Sequence, residues 1–239
     1  GDAYRQLFPH LRPLTILNVF PRQVLATSEP SADKIRLFWF SQTVGPNRGI
    51  EIILEAMHLS KDRYFELHLL GNPANGYLNE LVAKAAQVGL ADRLHYYNPM
   101  PEAAIFALAA SCDIGMASET GIPYNRNICL TNKIFTYIQS GLAVIASDTK
   151  AQELFFSLHP GIGKLYHVND AASLANVLDS YWVNRESLYS CKRLNYELGQ
   201  TLLNWETEQA TFVYYVGQLF APKSALSAGA LKTGCYYDC

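Results

Sequence analysis

The chain has 239 residues, of which 49% are apolar and 17% charged. This length fits one large domain or two small ones, and the apolar content excludes a mainly disordered chain. Lys and Arg total 19 against 21 Asp and Glu, so we expect no nucleic-acid partner that binds the whole surface. No apolar run reaches the roughly 18–20 residues of a membrane helix, and we expect no transmembrane segment.

The cysteines and histidines predict reduced thiols and no metal site. The number of cysteines, 5, is odd and most of them lie far apart, a pattern that favours the cytoplasm over an oxidising compartment. Cys235 and Cys239 have a C-x3-C spacing, but no second Cys or His pair lies nearby to complete a zinc site. The histidines are scattered and there is neither an H-E-x-x-H motif nor an Asp-x-Asp pair.

The chain divides into a connector, one domain and a tail. Residues 1–33 are broken by prolines and predict a connector with one short strand, Leu14–Phe20. Residues 34–221 alternate continuous apolar runs with helical periods, and the tail 222–239 is rich in Ser, Ala and Gly and predicted to be flexible. The predicted strands are 35–40, 65–70, 93–97, 113–117, 142–146 and 163–167. The predicted helices are 50–59, 78–88, 102–110, 132–140 and 151–158, followed by a helical pattern over 171–220.

This alternation predicts an α/β fold: a single Rossmann-like, doubly wound parallel sheet of about six strands with helices on both faces. Ligands of such sheets bind at the carboxyl ends of the strands. The loops that follow the strands are therefore where we expect a functional site.

The loop after the first strand, Ser41–Gly49, suits an anion. Glycines let backbone N–H groups approach a ligand, and Arg48 can hold a phosphate at the start of the next helix. The alternative is a tight turn with an exposed arginine. The pattern S-Q-T-V-G-P-N-R-G is neither G-x-G-x-x-G nor a P-loop, which disfavours a nicotinamide dehydrogenase or an ATP hydrolase.

The loop Ser118–Leu130 is long, and such loops in compact domains are usually functional. It contains Glu119 and Arg126 and leads to Thr131, a suitable N-cap. Lys133 in the first turn of the following helix opposes the helix dipole, a conflict that a bound anion would remove. The alternative is that Lys133 extends into water.

The other loops are less informative. Gly71–Gly76 suits either a plain turn or a ligand contact, and the backbone of Asn98–Pro101 could hydrogen-bond a flat base. Asp148 is predicted to cap the helix that follows it.

Three segments resemble glycosyltransferases of the GT-B fold, group 1 (retaining). L-T-N-K-I-F-T-Y-I-Q-S-G-L-A-V-I-A-S-D, residues 130–148, is similar to their donor-binding segment, usually Lys-Leu-Phe-Glu-Tyr, three residues, Gly-x-Pro-Val and then Asp. Residues 38–50 resemble their Gly-Arg…Lys-Gly loop, and residues 81–97 their Gly-Leu-x-Asp-x-Val-x-Phe segment. The resemblance covers about residues 35–185, in the same order, and it implies that residues 1–33 are the interdomain connector.

The resemblance implies the C-terminal domain that binds the donor, a UDP-, GDP- or ADP-sugar, without a cofactor or a metal ion. Arg48 and Lys133 would neutralise the diphosphate, on which negative charge develops as it leaves, and Glu119 would face the donor sugar; these three are the expected catalytic residues. Tyr97 and Met100 would lie near the base. The expected donor-binding residues are Gln42, Gly45, Arg48, Gly71, Tyr97, Met100, Asn132, Lys133 and Thr136.

The chain departs from the family pattern at two positions and in length. Thr136 stands where a ribose-binding Glu is common, and Gln42 where an Arg is common. We expect a fragment, or one half of a split enzyme, that lacks its N-terminal acceptor domain and is inactive alone; any peripheral membrane contact would come from that domain. The alternatives are a non-enzymatic nucleotide-binding or scaffold domain and another GT-B-like enzyme, such as a nucleotide-sugar epimerase.

Overall fold

A computed structural model describes residues 2–11, 13–25, 31–60 and 63–220. Its six strands form one parallel sheet in the order β3-β2-β1-β4-β5-β6, which confirms the predicted Rossmann-like α/β fold. The strands are β1 Ile35–Val44, β2 Phe65–Pro73, β3 Leu94–Tyr97, β4 Ile114–Ala117, β5 Ala143–Ser147 and β6 Gly163–Tyr166. The helices are α1 Asp2–Leu7, α2 Ile50–Leu59, α3 Tyr77–Gln87, α4 Glu102–Ala110, α5 Asn125–Ile128, α6 Asn132–Gln139, α7 Lys150–Leu158, α8 Ala171–Val183, α9 Arg185–Thr201 and α10 Trp205–Phe220.

Two hydrophobic clusters, one on each face of the sheet, form the core. Helices α2, α3 and α8 contribute buried residues to the first cluster, and α4, α6 and α7 to the second. The central strands are apolar on both faces, so that Leu37, Phe38 and Trp39 of β1 are all fully buried. Continuous apolar runs of this kind are typical of parallel strands covered by helices on both sides.

Strands β1 and β2 are longer than the sequence predicts. Both continue past their apolar runs, with Thr43 paired to Asn72 and Val44 to Pro73 after a register shift. Gly71, with a φ of +145°, allows this close pairing, because a Cβ there would overlap the carbonyl oxygen of Ser41. The first predicted loop therefore begins inside β1, in the irregular part of the strand.

The prediction of a strand at Leu14–Phe20 is wrong. This segment has no regular structure; Leu17 and Val19 are buried in the second hydrophobic cluster, while the Leu17 N–H donates to Glu208 of α10 at 3.1 Å. The connector also begins with a short helix, α1, that the sequence pattern does not indicate. The backbone of the segment that contains Leu17 is thus held by a helix, α10, rather than by a neighbouring strand.

The helical pattern over 171–220 is three separate helices. Asp170 caps α8 and Asn184 caps α9, each through a side-chain oxygen that accepts from the N–H three residues later. Among the described residues, no helix is both long and apolar enough to cross a bilayer. The predicted tail 222–239, with Cys235 and Cys239, lies outside the described residues.

Candidate functional site

The predicted charged residues meet where the carboxyl ends of the central strands face two helix N-termini. Arg48 precedes α2, Glu119 follows β4 by two residues, and Lys133 is the second residue of α6. Neither helix has a side-chain cap, since Gly49 and Thr131 at the two N-cap positions accept no such hydrogen bond. Backbone N–H groups are therefore left for another acceptor at this edge of the sheet.

Glu119 and Lys133 form a buried ion pair at the centre of this edge. Lys133 Nζ lies 2.7 Å from Glu119 Oε1, and the two side chains belong to residues only 9% and 6% exposed. Thr131 Oγ1 donates to the same oxygen at 3.3 Å, and Lys133 Nζ lies 5.0 Å from the centre of the Trp39 ring. Lys133 therefore does not extend into water, and a carboxylate of the chain itself compensates its charge.

Two arginines act electrostatically on this pair. Burial lowers the pKa of Lys133, the Glu119 carboxylate opposes that shift, and the charges of Arg48 and Arg126 lower the pKa further. Arg126 is a residue that sequence reasoning noted but did not assign to the site. Its position in the long loop Ser118–Leu130, a kind of loop that is usually functional, could have indicated that it belongs to the site.

Arg48 and Arg126 link the two loops of the site. Arg48 Nη1 donates to Ser41 Oγ at 3.2 Å, while Ser118 Oγ donates to the Arg48 carbonyl at 3.3 Å. Arg126 Nη1 donates to the Asn47 carbonyl at 2.7 Å. Within the described residues, neither guanidinium has a carboxylate partner at ion-pair distance. Both are thus cations available to an anionic ligand.

The backbone around Glu119 is held by side chains that the sequence analysis missed. Ser147, the last residue of β5, donates to the Glu119 carbonyl at 2.7 Å, and Gln152 Nε2 donates to Ser147 Oγ at 2.9 Å. Trp39 Nε1 donates to Ser118 Oγ at 3.2 Å. The sequence could have indicated Ser147, because it is a polar residue at the carboxyl end of a strand, β5, that lies next to β4.

Three other predicted residues lie along the first loop and its neighbour. Gln42 is an exposed residue of β1. Gly45 is buried, and a Cβ at this position would make a tight contact of 3.2 Å with the Cβ of Ala74. The carbonyl of Gly71 accepts from Tyr96 Oη at 2.8 Å. Gly71 therefore has a structural explanation, and any contact of these three with a ligand stays a prediction.

Tyr97 and Met100 lie at the far edge of the sheet. Two strands, β2 and β1, separate β3 from β4, so the distance between those strands is about 14 Å at ~4.8 Å per step. The hydroxyl of Tyr97 lies 3.0 Å from His68 Nδ1, and Met100 packs against the second hydrophobic cluster. The structure does not bring them into contact with the ion pair, and their role toward a base stays a prediction.

The two remaining donor-binding candidates are on α6. Asn132 is exposed, and its Oδ1 accepts from Asn18 Nδ2 of the connector at 3.1 Å. Thr136 is 1% exposed, and its hydroxyl donates to the Asn132 carbonyl at 3.3 Å. Its hydroxyl is thus engaged within the helix, and its proposed contact with a ribose stays a prediction.

Asp148 does not cap the helix that follows it, contrary to the sequence prediction. The N-cap of α7 is Thr149, while the Asp148 carboxylate accepts from Val168 N at 2.7 Å and lies 2.8 Å from His167 Nδ1. The chain after β6 returns beside Asp148, so that tertiary partners replace the local helix cap.

A comparison with known families identifies the family of this chain. The model of the glycosyl transferases group 1 matches residues 34–183, more than half of the chain. The chain therefore belongs to the group 1 glycosyltransferase family. No curated protein matches the sequence.

Solved structures show the same fold at low sequence identity. HepE from Anabaena, solved with UDP-glucose, superposes with a TM-score of 0.69 at 18% identity, over 85% of this chain and 57% of that one. The sucrose-phosphate synthase of Thermosynechococcus elongatus gives 0.68 at 19%, over 92% and 56%. The C-terminal domain of LpcC, a group 1 protein of Francisella tularensis, gives 0.53 at 18%, over 71% and 86%. The chain thus spans about half the length of several relatives that it matches.

Proposed function

We propose that this chain is the donor-binding half of a retaining glycosyltransferase and holds a nucleoside-diphosphate sugar at the carboxyl edge of its sheet. The observation that carries the proposal is that Lys133, paired with Glu119 at 2.7 Å, lies close enough to Arg48 and Arg126 for both arginines to lower its pKa. Three cations against one carboxylate leave the edge positively charged. A diphosphate is the ligand whose charge matches this excess.

The helix N-terminus of α6 adds to the attraction. Its first turn has backbone N–H groups without a side-chain cap, and such groups, aligned with the helix dipole, favour phosphate oxygens. The solved HepE complex contains UDP-glucose, which makes UDP the first nucleotide to test. The base would then extend along the carboxyl edge toward Tyr97 and Met100.

In the proposed reaction these residues act on the donor and its leaving group. The bond between the anomeric carbon and the diphosphate oxygen breaks, an acceptor hydroxyl oxygen bonds to that carbon, and the hydroxyl proton passes to the departing diphosphate. Arg48, Arg126 and Lys133 would stabilise the negative charge that develops on the leaving diphosphate. Glu119 would hold Lys133 in position and face the sugar, and retention of the anomeric configuration is the outcome that the family resemblance implies.

A non-enzymatic binding or scaffold domain is the second candidate. Thr136 favours it, because the position where the family commonly has a ribose-binding Glu carries a buried hydroxyl that bonds within its own helix. Both candidates agree that the chain alone transfers no sugar, since the acceptor side of the cleft would come from another domain. They differ in nucleotide affinity.

Calorimetric titration with UDP, GDP and ADP tests the proposal. We expect saturable binding of one nucleotide, weakened at least tenfold by Arg48→Ala, which corresponds to about 1.4 kcal/mol. Arg193→Ala is the matched control, because Arg193 on α9 is exposed and pairs with Glu186; it should leave the affinity unchanged.

Two results would contradict the proposal. Absence of binding by all three nucleotides at millimolar concentration would favour the scaffold candidate. Binding that is equal in the wild type and in Arg48→Ala would place the nucleotide outside the edge described here.

A further inference from the structure

Three side chains with metal-binding groups share one face of the sheet near its β3 edge. Glu66 and His68 lie two residues apart on β2, and His95 of β3 is the register partner of His68. Because side chains of a strand alternate between faces, this register places all three on the same side. One ligand atom from each lies within 4.8 Å of the others, and the two imidazole rings stack with centroids 4.7 Å apart.

Both imidazoles have a ring nitrogen without a partner. Nε2 of His68 and Nε2 of His95 are buried and make no hydrogen bond, and His68 as a whole is only 8% exposed. His68 Nε2 faces Glu66 Oε2 at 3.7 Å, beyond hydrogen-bond length. Since buried polar atoms are nearly always paired, these two nitrogens and the neighbouring carboxylate together are suited to hold a ligand.

The surrounding residues orient the potential ligands. The hydroxyl of Tyr97 lies 3.0 Å from Nδ1 of His68; when that nitrogen donates to it, the lone pair remains on Nε2, as metal-bound histidines require. Lys34 Nζ donates to Glu66 Oε1 at 3.0 Å, which leaves Oε2 turned toward His68. His68 and Glu66 are therefore each held by a second residue, and the His95 ring stacks on that of His68.

The ligand atoms and the charges near them indicate which class of metal ion the cluster suits. Lys34 and Arg36, whose Nε lies 3.8 Å from Glu66 Oε2, offset the negative charge of the carboxylate. Calcium and magnesium need several oxygen ligands, whereas this cluster offers a single carboxylate, that of Glu66. Two imidazole nitrogens and one carboxylate oxygen suit zinc and neighbouring divalent transition metals.

We propose that Glu66, His68 and His95 form a zinc-class metal site that ties the edge strand β3 to β2 and adjoins the donor edge at Tyr97. Zinc bonds to nitrogen and oxygen are about 2.0–2.2 Å long, so the ligand atoms must close by roughly 1 Å through side-chain rotation. The sequence predicts no metal because His68 and His95 are far apart along the chain. The sheet register brings them together.

Zinc titration of the full chain, stripped with a chelator, tests this site. We expect one zinc ion to bind in the wild type and in His58→Gln, a control whose exposed histidine lies on α2. His68→Gln and His95→Gln should each weaken binding by at least about 100-fold. Zinc should raise the melting temperature of the wild type and not that of these two variants, and cobalt should give a visible spectrum that both lose.

The outcomes distinguish zinc bound at this site from zinc bound by the cysteines or by other histidines. Zinc binding that survives both His68→Gln and His95→Gln would place the ion on other residues, such as the cysteines, and overturn the proposal, as would the absence of zinc binding by the wild type. Should His68→Gln fail to fold, the half-buried edge-strand variant His95→Gln decides alone. None of these results depends on nucleotide binding.

Discussion

Lys133 and Glu119 are each other's closest charge partner, with 2.7 Å between Nζ and Oε1 in a buried setting. Sequence reasoning gives them separate tasks, one toward the diphosphate and one toward the sugar. Their pairing means that the lysine charge is already largely balanced by the chain. The excess positive charge for a diphosphate therefore comes from Arg48 and Arg126.

Removal of the ammonium should destabilise the fold. Lys133→Met leaves the Glu119 carboxylate buried without its partner, and breaking a buried pair in this way costs about 3–5 kcal/mol. The double variant Lys133→Met with Glu119→Gln should recover most of that loss, because no unpaired charge remains. Urea unfolding of the three proteins gives the free energies.

An exposed pair provides the control for that measurement. Arg193 and Glu186 on α9 lie 3.1 Å apart, with side chains 66% and 74% exposed. Arg193→Met should change stability by less than ~1 kcal/mol, as solvent-exposed pairs do. Equal losses for Lys133→Met and Arg193→Met would refute the structural role assigned to the buried pair.

The apolar runs of the sequence were enough to predict the sheet, since continuous runs are typical of strands buried on both faces. The apolar runs failed to predict two features of the fold. Thr43 and Asn72 extend β1 and β2 through backbone pairing alone. Leu17 and Val19 alternate like a strand, but they pack against helices.

The site was predictable as far as charge and local position determine it. Arg48, Glu119 and Lys133 follow strands or begin helices, so the topology brings them to one edge. Their partners depend on tertiary contacts: the sequence does not indicate that Lys133 turns to Glu119 or that Asp148 faces His167. Register likewise decides the His68 and His95 pair.

Arg126 should contribute to nucleotide affinity through the loop it holds. Its guanidinium donates to the Asn47 carbonyl at 2.7 Å, one residue before Arg48. Arg126→Ala should weaken nucleotide binding about tenfold, or ~1.4 kcal/mol, with little effect on unfolding. Arg126→Lys keeps the charge without the planar donor geometry; full affinity in that variant would show that charge alone matters and that the loop contact does not.

The exposed pair of Asp148 and His167 should make stability depend on pH. The hydrogen bond and charge of Asp148 raise the pKa of His167 above 6.5. A raised histidine pKa means that the stabilisation is complete below about pH 6.5 and is lost as pH rises through the folded-state value. Burial raises the pKa of Asp148, but the hydrogen bonds from His167 and Val168 outweigh it and the net pKa is below 3.8. The contribution of this carboxylate is therefore lost only in stronger acid.

Urea unfolding of wild type and His167→Gln across pH tests this pair. The difference in unfolding free energy should be largest near about pH 5 and vanish toward about pH 9. His58→Gln, at an exposed histidine on α2, is measured beside them as a substitution of the same type outside the Asp148 pair. A constant gap between wild type and His167→Gln over the whole range would contradict the assignment to protonation.

A comparison of alanine substitutions at two glycines with the same backbone conformation distinguishes the cost of backbone strain from that of steric overlap. Gly49, at the start of α2, and Gly89, after α3, have φ values of +77° and +74°. A Cβ at Gly49 would overlap the carbonyl oxygen of Ser118, whereas nothing lies within 4 Å of one at Gly89. Gly89→Ala should thus lose only the roughly 1–2 kcal/mol of the left-handed conformation.

Gly49→Ala should lose about 1–3 kcal/mol more than Gly89→Ala, because overpacking adds to the same backbone penalty. It should also weaken nucleotide binding, since the displaced Ser118 precedes Glu119 and donates to the Arg48 carbonyl. Thermal unfolding and calorimetry on both variants measure the two effects. Equal stabilities would show that the contact between the two loops is loose, and unchanged affinity in Gly49→Ala would separate that contact from the donor edge.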